Sequence, residues 1–188
     1  MIKNHSTEIL KETIRPGIAW EKYQHVFKEV NIPAKTILLN EGEISKKGYF
    51  IKEGCLRLWF NNKGKDITFQ FFFENEAVSS SESFRSGEPS LFSIETIEPS
   101  TVYVITKKSY EEIFLNDPQY ASFVQEIILK RLSHYTRLFM SYIKNTPEER
   151  YRELLKNSPH IIKRVPQHYI ASYLGITSVS LSRIRNRV

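Results

Sequence analysis

The C-terminal segment of the chain, VPQHYIASYLGITSVSLSRIRNRV, carries side chains that suit the reading of DNA bases. Short hydroxyl side chains bond to several base edges, and an arginine grips guanine O6 and N7 in a bidentate way. Such residues cluster after the glycine of this segment. The residues expected to face a major groove are Ser178, Val179, Ser180, Ser182 and Arg183. This cluster predicts a base-reading contact with double-stranded DNA.

A second group in the same segment is placed to hold phosphates. Arg185 and Arg187 supply positive charge, and Gln167, His168 and Thr177 lie near predicted helix starts. The backbone N–H groups at a helix start also favour phosphate. We therefore expect these five residues to contact the DNA backbone.

The apolar spacing of this segment is typical of a helix-turn-helix. Pro166 opens a predicted helix that Gly175 ends, and Ser178 begins the next helix after a short turn. The small side chain of Ala171 lets the two helices approach, and Gly175 supplies the left-handed turn. Leu181, six residues after Gly175, is predicted to fill the core between the helices.

The net charge of +6 is concentrated at the same end of the chain. Residues 145–188 hold eight Lys and Arg against three Glu, and no acidic residue follows Glu153. Such asymmetry indicates a polyanionic partner, either nucleic acid or an anionic membrane. A basic surface without any such partner is the simpler alternative. The helix pair favours DNA.

A long helix is predicted from Gln119 to about Lys144, because this stretch contains neither Gly nor Pro. Bulky residues repeat along it at spacings of 4, 3, 4 and 3, which is a heptad pattern. These seam residues are Ile128, Leu132, Tyr135, Phe139 and Tyr142. A second stripe runs through Phe123, Ile127 and Leu138. Two stripes favour a homodimer, the alternative being that both are buried within one chain.

The residues after the long helix mark the start of another helix. Thr146 is a predicted N-cap, Pro147 occupies the first helical position, and Glu149 completes a capping box. We expect a hinge here between the long helix and a C-terminal helical unit.

The N-terminal part of the chain combines helices with many short strands. Residues 2–14 and 18–30 are predicted helices, the second with Trp20, Tyr23 and Phe27 on one apolar face. From Ile32 onward, β-branched and aromatic stretches alternate with turn signals, which predicts an antiparallel roll. The predicted fold class is α+β: an N-terminal antiparallel β-roll or jelly roll with flanking helices over residues 1–118, a long dimerisation helix over 119–144, and a helix-turn-helix domain over 145–188.

In this order, these elements resemble the Crp/Fnr superfamily of bacterial transcription regulators, most closely its Bacteroidetes-type branch. The segments that carry the resemblance are EGEISKKGYFIKEGCLRLWF in the β-roll and the C-terminal segment quoted above. The resemblance implies a homodimer that binds a palindromic operator and adjusts transcription. RNA polymerase and an unidentified small-molecule effector are further partners that it implies.

The sequence departs from the cyclic-nucleotide-binding members of that superfamily. Their cassette has a Gly-Glu pair for the ribose and an Arg-Ser pair for the phosphate. Here Ser79-Ser80 and Ser90-Leu91 stand at those places, so a buried phosphate would lack its charged partner. Arg85 lies about five residues early, on a predicted loop. We expect no useful binding of cyclic AMP. The candidate effector pocket consists of Ser79, Ser80, Ser81, Glu82, Arg85 and Ser90.

Other chemistries find little support in the residue types. The single cysteine, Cys55, excludes a disulfide within one chain and an all-cysteine metal site, and we expect it to be a buried apolar residue. The five histidines share no ligand spacing, so neither a metal nor a cofactor is predicted. No nucleotide-binding or nucleophile motif indicates an enzyme. A ligand-binding interaction module without DNA, or a jelly-roll enzyme with an unrecognised site, remain the alternatives.

The sequence also bears on location. Residues 1–15 are polar, without the apolar core of a signal peptide, and no apolar run approaches the length of a membrane span. We therefore expect a cytoplasmic protein with no membrane partner.

Overall fold

The computed structural model describes residues 20–187, so the predicted helix over residues 2–14 lies outside the described part of the chain. The described residues form two compact units. The first comprises residues 20–60 and 71–116, and the second comprises residues 61–70 and 117–187.

Short strands dominate the first unit, as the alternating apolar and turn segments predict. In chain order the described strands are β1 (Lys28–Ile32), β2 (Ile37–Leu39), β3 (Lys47–Glu53), β4 (Leu56–Asn62), β5 (Lys65–Phe72), β6 (Ala77–Val78), β7 (Ser93–Thr96) and β8 (Ser100–Thr106). They form two four-stranded sheets, in the orders β1-β8-β3-β6 and β2-β7-β4-β5. The pairings with a described register are antiparallel, which confirms the predicted β-roll.

Three helices accompany these strands. They are α1 (Trp20–Tyr23), which a 3-10 turn (Gln24–Val26) follows, α2 (Ser81–Ser86) and α3 (Lys107–Asn116). The core between the sheets is aliphatic and aromatic. Its most completely buried side chains are Ile51, Leu56, Phe72, Ile94 and Val102. Cys55 is buried with them, as its sequence context predicts.

The helix predicted over residues 18–30 is wrong beyond its first turn. The chain leaves the helix at Tyr23, and Lys28–Ile32 is a strand whose five residues all pair with β8. Phe27 therefore does not lie on a helical apolar face; its ring packs edge-to-face on Phe50, with centroids 5.3 Å apart. Strand pairing with a partner some seventy residues away outweighs the local helical spacing, which carries no information about that partner.

A buried ion pair joins two neighbouring strands of the second sheet. The Arg57 guanidinium donates from Nε and Nη2 to the same Glu95 carboxylate oxygen, at 2.7 Å and 2.6 Å. The two residues are opposite each other in the register of β4 and β7. Both charges are removed from water, so the pair is satisfied internally and removal of one member would leave the other uncompensated.

The second unit is helical apart from residues 61–70. Its helices are α4 (Pro118–Lys144), α5 (Pro147–Asn157), α6 (Pro159–Arg164), α7 (Gln167–Tyr173) and α8 (Ser178–Arg185). Asp117 caps α4 by accepting from the backbone N–H groups of Gln119 and Tyr120. The predicted capping box at the start of α5 is confirmed, since Thr146 and Glu149 bond reciprocally to each other's backbone N–H.

Among residues 20–187, no helix has the length and apolar character that a membrane span requires.

Candidate nucleic-acid interface and effector pocket

The two C-terminal helices form the predicted helix-turn-helix. Their shared core is closed by Ile170, Ala171, Leu174, Leu181 and Ile184, all of which are buried. Gly175 follows α7 at φ +68°, a left-handed conformation that side chains with a Cβ rarely adopt. Backbone bonds from Gly175 N to Ser172 O and from Ile176 N to Ala171 O complete the helix end in the Schellman pattern.

Helix α8 presents its polar side to solvent. Ser178, Ser182 and Arg183 are exposed, and so is Val179, at 63% of its full accessible surface. Ser180 is half-buried, and its backbone N–H donates to the Thr177 hydroxyl over 3.1 Å. The structure therefore brings the five predicted base-reading residues onto one short helix.

The predicted phosphate contacts are also accessible. Arg185 and Arg187 are exposed at the end of α8, and Gln167 and His168 are exposed at the start of α7. Thr177 is exposed as the N-cap of α8, where its hydroxyl is engaged in capping. The Thr177 hydroxyl therefore stabilises the start of α8 in the structure.

Arg150 is one of the basic residues that give the C-terminal part of the chain its positive net charge, but its guanidinium forms hydrogen bonds within the second unit. Its Nη1 donates to the Asn145 carbonyl over 2.7 Å and its Nη2 donates to the Leu174 carbonyl over 2.8 Å. The guanidinium also lies 4.6 Å from the centre of the Tyr142 ring. Arg150 thus ties the end of α4 to the end of α7, and sequence reasoning missed this role because the residues involved are distant in the chain.

Tyr173, the last residue of α7, is buried. Burial raises the pKa of its phenol well above the ordinary value, and nearby Tyr142 and Tyr135 raise it further. Tyr173 is therefore neutral at physiological pH and fits a mainly apolar environment.

The predicted seam of α4 is largely uncovered within the single chain. Leu132 and Phe139 are 60% and 65% exposed, and Ile128 is 54% exposed. Further exposed apolar residues lie beside them: Leu129, Met140 and Ile143. The single chain leaves this stripe exposed, so its burial against a second copy stays a prediction. Exposed apolar faces of this kind are typical of interaction surfaces.

Part of the seam also lines a cleft inside the second unit. The cleft has a volume of about 330 Å³, and Tyr135, Phe139 and Tyr142 form one wall. Ile67 and Phe69 also line the cleft, as do Ser172 and Gly175 of the helix-turn-helix. The hydroxyl of Ser172 accepts from Thr68 N and donates to the Asp66 carbonyl, each at 2.9 Å, and so fixes α7 to the β5 backbone.

Two predicted pocket residues of the β-roll are in direct contact. Ser90 Oγ donates to Ser80 Oγ over 2.9 Å, and both side chains are buried. Two further serines, Ser45 and Ser83, are buried in the β-roll, and Ser83 Oγ on α2 accepts from Ser45 N over 2.9 Å. Sequence reasoning missed this pair because its two members are 38 residues apart.

Of the remaining pocket residues, Ser79 is half-buried and the others are exposed. Ser79 and Ser81 bond to each other at 3.3 Å, and Glu82 and Arg85 are exposed. The predicted loop placement of Arg85 is wrong, because Arg85 lies in the last turn of α2. Arg85 is thus exposed to solvent, whereas Ser80 and Ser90 are buried.

Within the described residues, no group of three or more His, Cys, Asp or Glu is arranged to hold a metal ion.

Residues 29–117 match the family model of the cyclic nucleotide-binding domain. No curated protein sequence matches the chain significantly.

Solved structures with the same fold span nearly the whole chain. FixK2 from Bradyrhizobium japonicum has a TM-score of 0.74 and 19% identity, over 86% of this chain and 84% of its own. A CooA mutant from Carboxydothermus hydrogenoformans has a TM-score of 0.71 and 16% identity, over 96% and 82%. A Crp/Fnr-family protein from Eubacterium rectale has a TM-score of 0.69 and 17% identity, over 95% and 82%. The chain has the fold of the Crp/Fnr regulators.

Proposed function

We propose that the protein is a homodimeric transcription regulator that binds palindromic operator DNA through α8. One observation carries the proposal: α8 exposes Ser178, Ser182 and Arg183 on one side while Leu181 and Ile184 hold its other side in the core. A short, rigid helix with a polar outer face and an arginine suits the major groove. The likeness in fold to Crp/Fnr proteins supports the same function.

The dimer is supported by the exposed face of α4. Apolar residues along more than three turns of this helix are exposed in the single chain, and two copies related by a two-fold axis would cover each other's face. Two recognition helices that enter successive major grooves on one side of the DNA should lie about 34 Å apart, one turn of DNA. The two-fold symmetry of such a dimer implies a palindromic operator.

The β-roll serves this regulator as a sensor of a ligand other than cyclic AMP, or as a scaffold without a ligand. The buried Ser80–Ser90 pair supports this part of the proposal, because no buried cation accompanies it among the predicted pocket residues. RNA polymerase as a partner rests on the Crp/Fnr resemblance. The regulatory proteins that share the fold favour this role over an enzymatic one.

A gel-shift experiment with fragmented bacterial genomic DNA tests the proposal. The full-length chain should retard a subset of fragments in low salt, and the retardation should weaken steeply as salt is added. Arg183→Ala should weaken the preference among fragments, whereas Arg187→Ala should weaken binding to all of them alike. Absence of any retardation in low salt would overturn the proposal.

A further inference from the structure

Val179 is an exposed apolar residue on an otherwise polar helix face. It is the second residue of α8, and 63% of its surface is accessible to solvent. Its flanking residues, Ser178 and Ser180, carry only small hydroxyl side chains. The face proposed to read DNA therefore contains one aliphatic group.

The helix holds this group in place. Leu181 and Ile184 fill the core on the opposite side, and Thr177 caps the first turn. Val179 thus cannot turn inward without unwinding α8. A β-branched side chain in a helix is also restricted to one main χ1 rotamer, so its methyl groups have a nearly fixed direction.

Only one base presents an apolar group in the major groove, namely thymine with its C5 methyl. We infer that Val179 packs against the C5 methyl of a thymine in each half-site, an inference that rests on the proposed function. Val179 and Arg183 are four residues apart, so they lie on the same face and about 6 Å apart along the helix. With base pairs about 3.4 Å apart, the thymine should lie within about two base pairs of the guanine that Arg183 reads.

Replacement of thymine by uracil removes only that methyl group. The test uses a duplex selected from random DNA by the wild-type chain, in which each thymine of the half-site is replaced by uracil in turn. One replacement near the Arg183 guanine should weaken wild-type binding about fourfold per half-site, the fold-change of about 0.8 kcal/mol for one buried apolar carbon. Replacements at the other thymines serve as internal controls.

The matched variant is Val179→Ala, which leaves the buried face of α8 intact. It should discriminate between the thymine and uracil duplexes less than the wild type does, because less apolar surface remains to cover the methyl group. Leu115→Ala, which shortens an exposed apolar side chain of α3, should keep the wild-type discrimination. Specific binding with no methyl-sensitive thymine, or undiminished sensitivity in Val179→Ala, would overturn the inference and leave the proposed function standing. A selection that enriches no sequence would overturn both.

Discussion

The hydroxyl of Ser90 donates to the hydroxyl oxygen of Ser80 over 2.9 Å, with both side chains buried in the β-roll. Ser90 Oγ also lies 2.7 Å from the Phe92 carbonyl oxygen. In the resemblance to cyclic-nucleotide-binding proteins, these two positions belong to the ribose-binding Glu and the phosphate-binding Arg. Here two neutral groups satisfy each other, so the position offers no positive charge to an incoming phosphate.

Cyclic AMP and cyclic GMP should therefore not bind with useful affinity. Loss of one member of a buried charged pair costs about 2–5 kcal/mol, and each 1.4 kcal/mol is about tenfold in affinity. Calorimetric titration of both nucleotides checks this expectation. A dissociation constant near or below ~10 μM would show that another cation, Arg85 first among the candidates, supplies the missing charge.

The exposed face of α4 predicts the oligomeric state. Leu132→Glu combined with Phe139→Glu places two charges in the apolar seam and should convert the dimer into monomers, because the carboxylates would be desolvated on pairing. Sedimentation velocity at tens of micromolar protein measures this change. Leu115→Glu, at a residue of α3 that is 79% exposed, is the control and should remain dimeric. A wild-type chain that sediments as a monomer would contradict the pairing of α4.

The capping box at the start of α5 predicts a pH effect on stability. The Thr146 backbone N–H, and then its hydroxyl, donate to the Glu149 carboxylate and hold its pKa below the ordinary value of 4.5. A lowered pKa in the folded state means that this stabilisation is present above pH 4.5 and is lost as the pH falls through the folded value.

Chemical denaturation of wild type and Glu149→Gln across this range provides the measurement. The difference in unfolding free energy should be largest near neutral pH and should shrink in acid. A difference that is independent of pH would mean that the carboxylate charge contributes nothing to the cap.

Substitution of Arg150 should lower the free energy of unfolding more than substitution of the exposed Arg152. Arg150→Met removes donors to two backbone carbonyls and should lower the unfolding free energy by about 2 kcal/mol. Arg150→Lys should recover only part, since an ammonium lacks the planar fork that reaches both carbonyls. Arg152→Met removes an exposed i,i+4 pair with Glu148 and should cost at most about 0.5 kcal/mol. Equal losses in urea denaturation of Arg150→Met and Arg152→Met would contradict the bridging role.

The elements predicted correctly from the sequence are those with strong local signals. The spacing of Thr146 and Glu149 predicts the start of a helix, and the spacing of Gly175 and Leu181 predicts the helix-turn-helix. These signals act within one or two turns of helix, so the residues themselves contain the information.

The elements that were missed depend on partners far away in the chain. Lys28–Ile32 becomes a strand because β8 is available to pair with it, and Ser45 N donates to the hydroxyl of Ser83, 38 residues away. The bridge from Arg150 to Leu174 spans 24 residues. None of these pairings produces a periodic pattern in the sequence, which is why the interior of the pocket was less predictable than α8.

Selection of bound sequences from random DNA tests the proposed function most directly. The wild-type dimer should enrich an inverted repeat whose half-site centres lie about 10 base pairs apart. With Arg183→Ala, one position in each half-site should lose its preference, at a cost of about 1–3 kcal/mol in specific binding. Enrichment of no sequence, or of the same sequence by wild type and Arg183→Ala, would contradict the assignment of α8 as the DNA-reading helix.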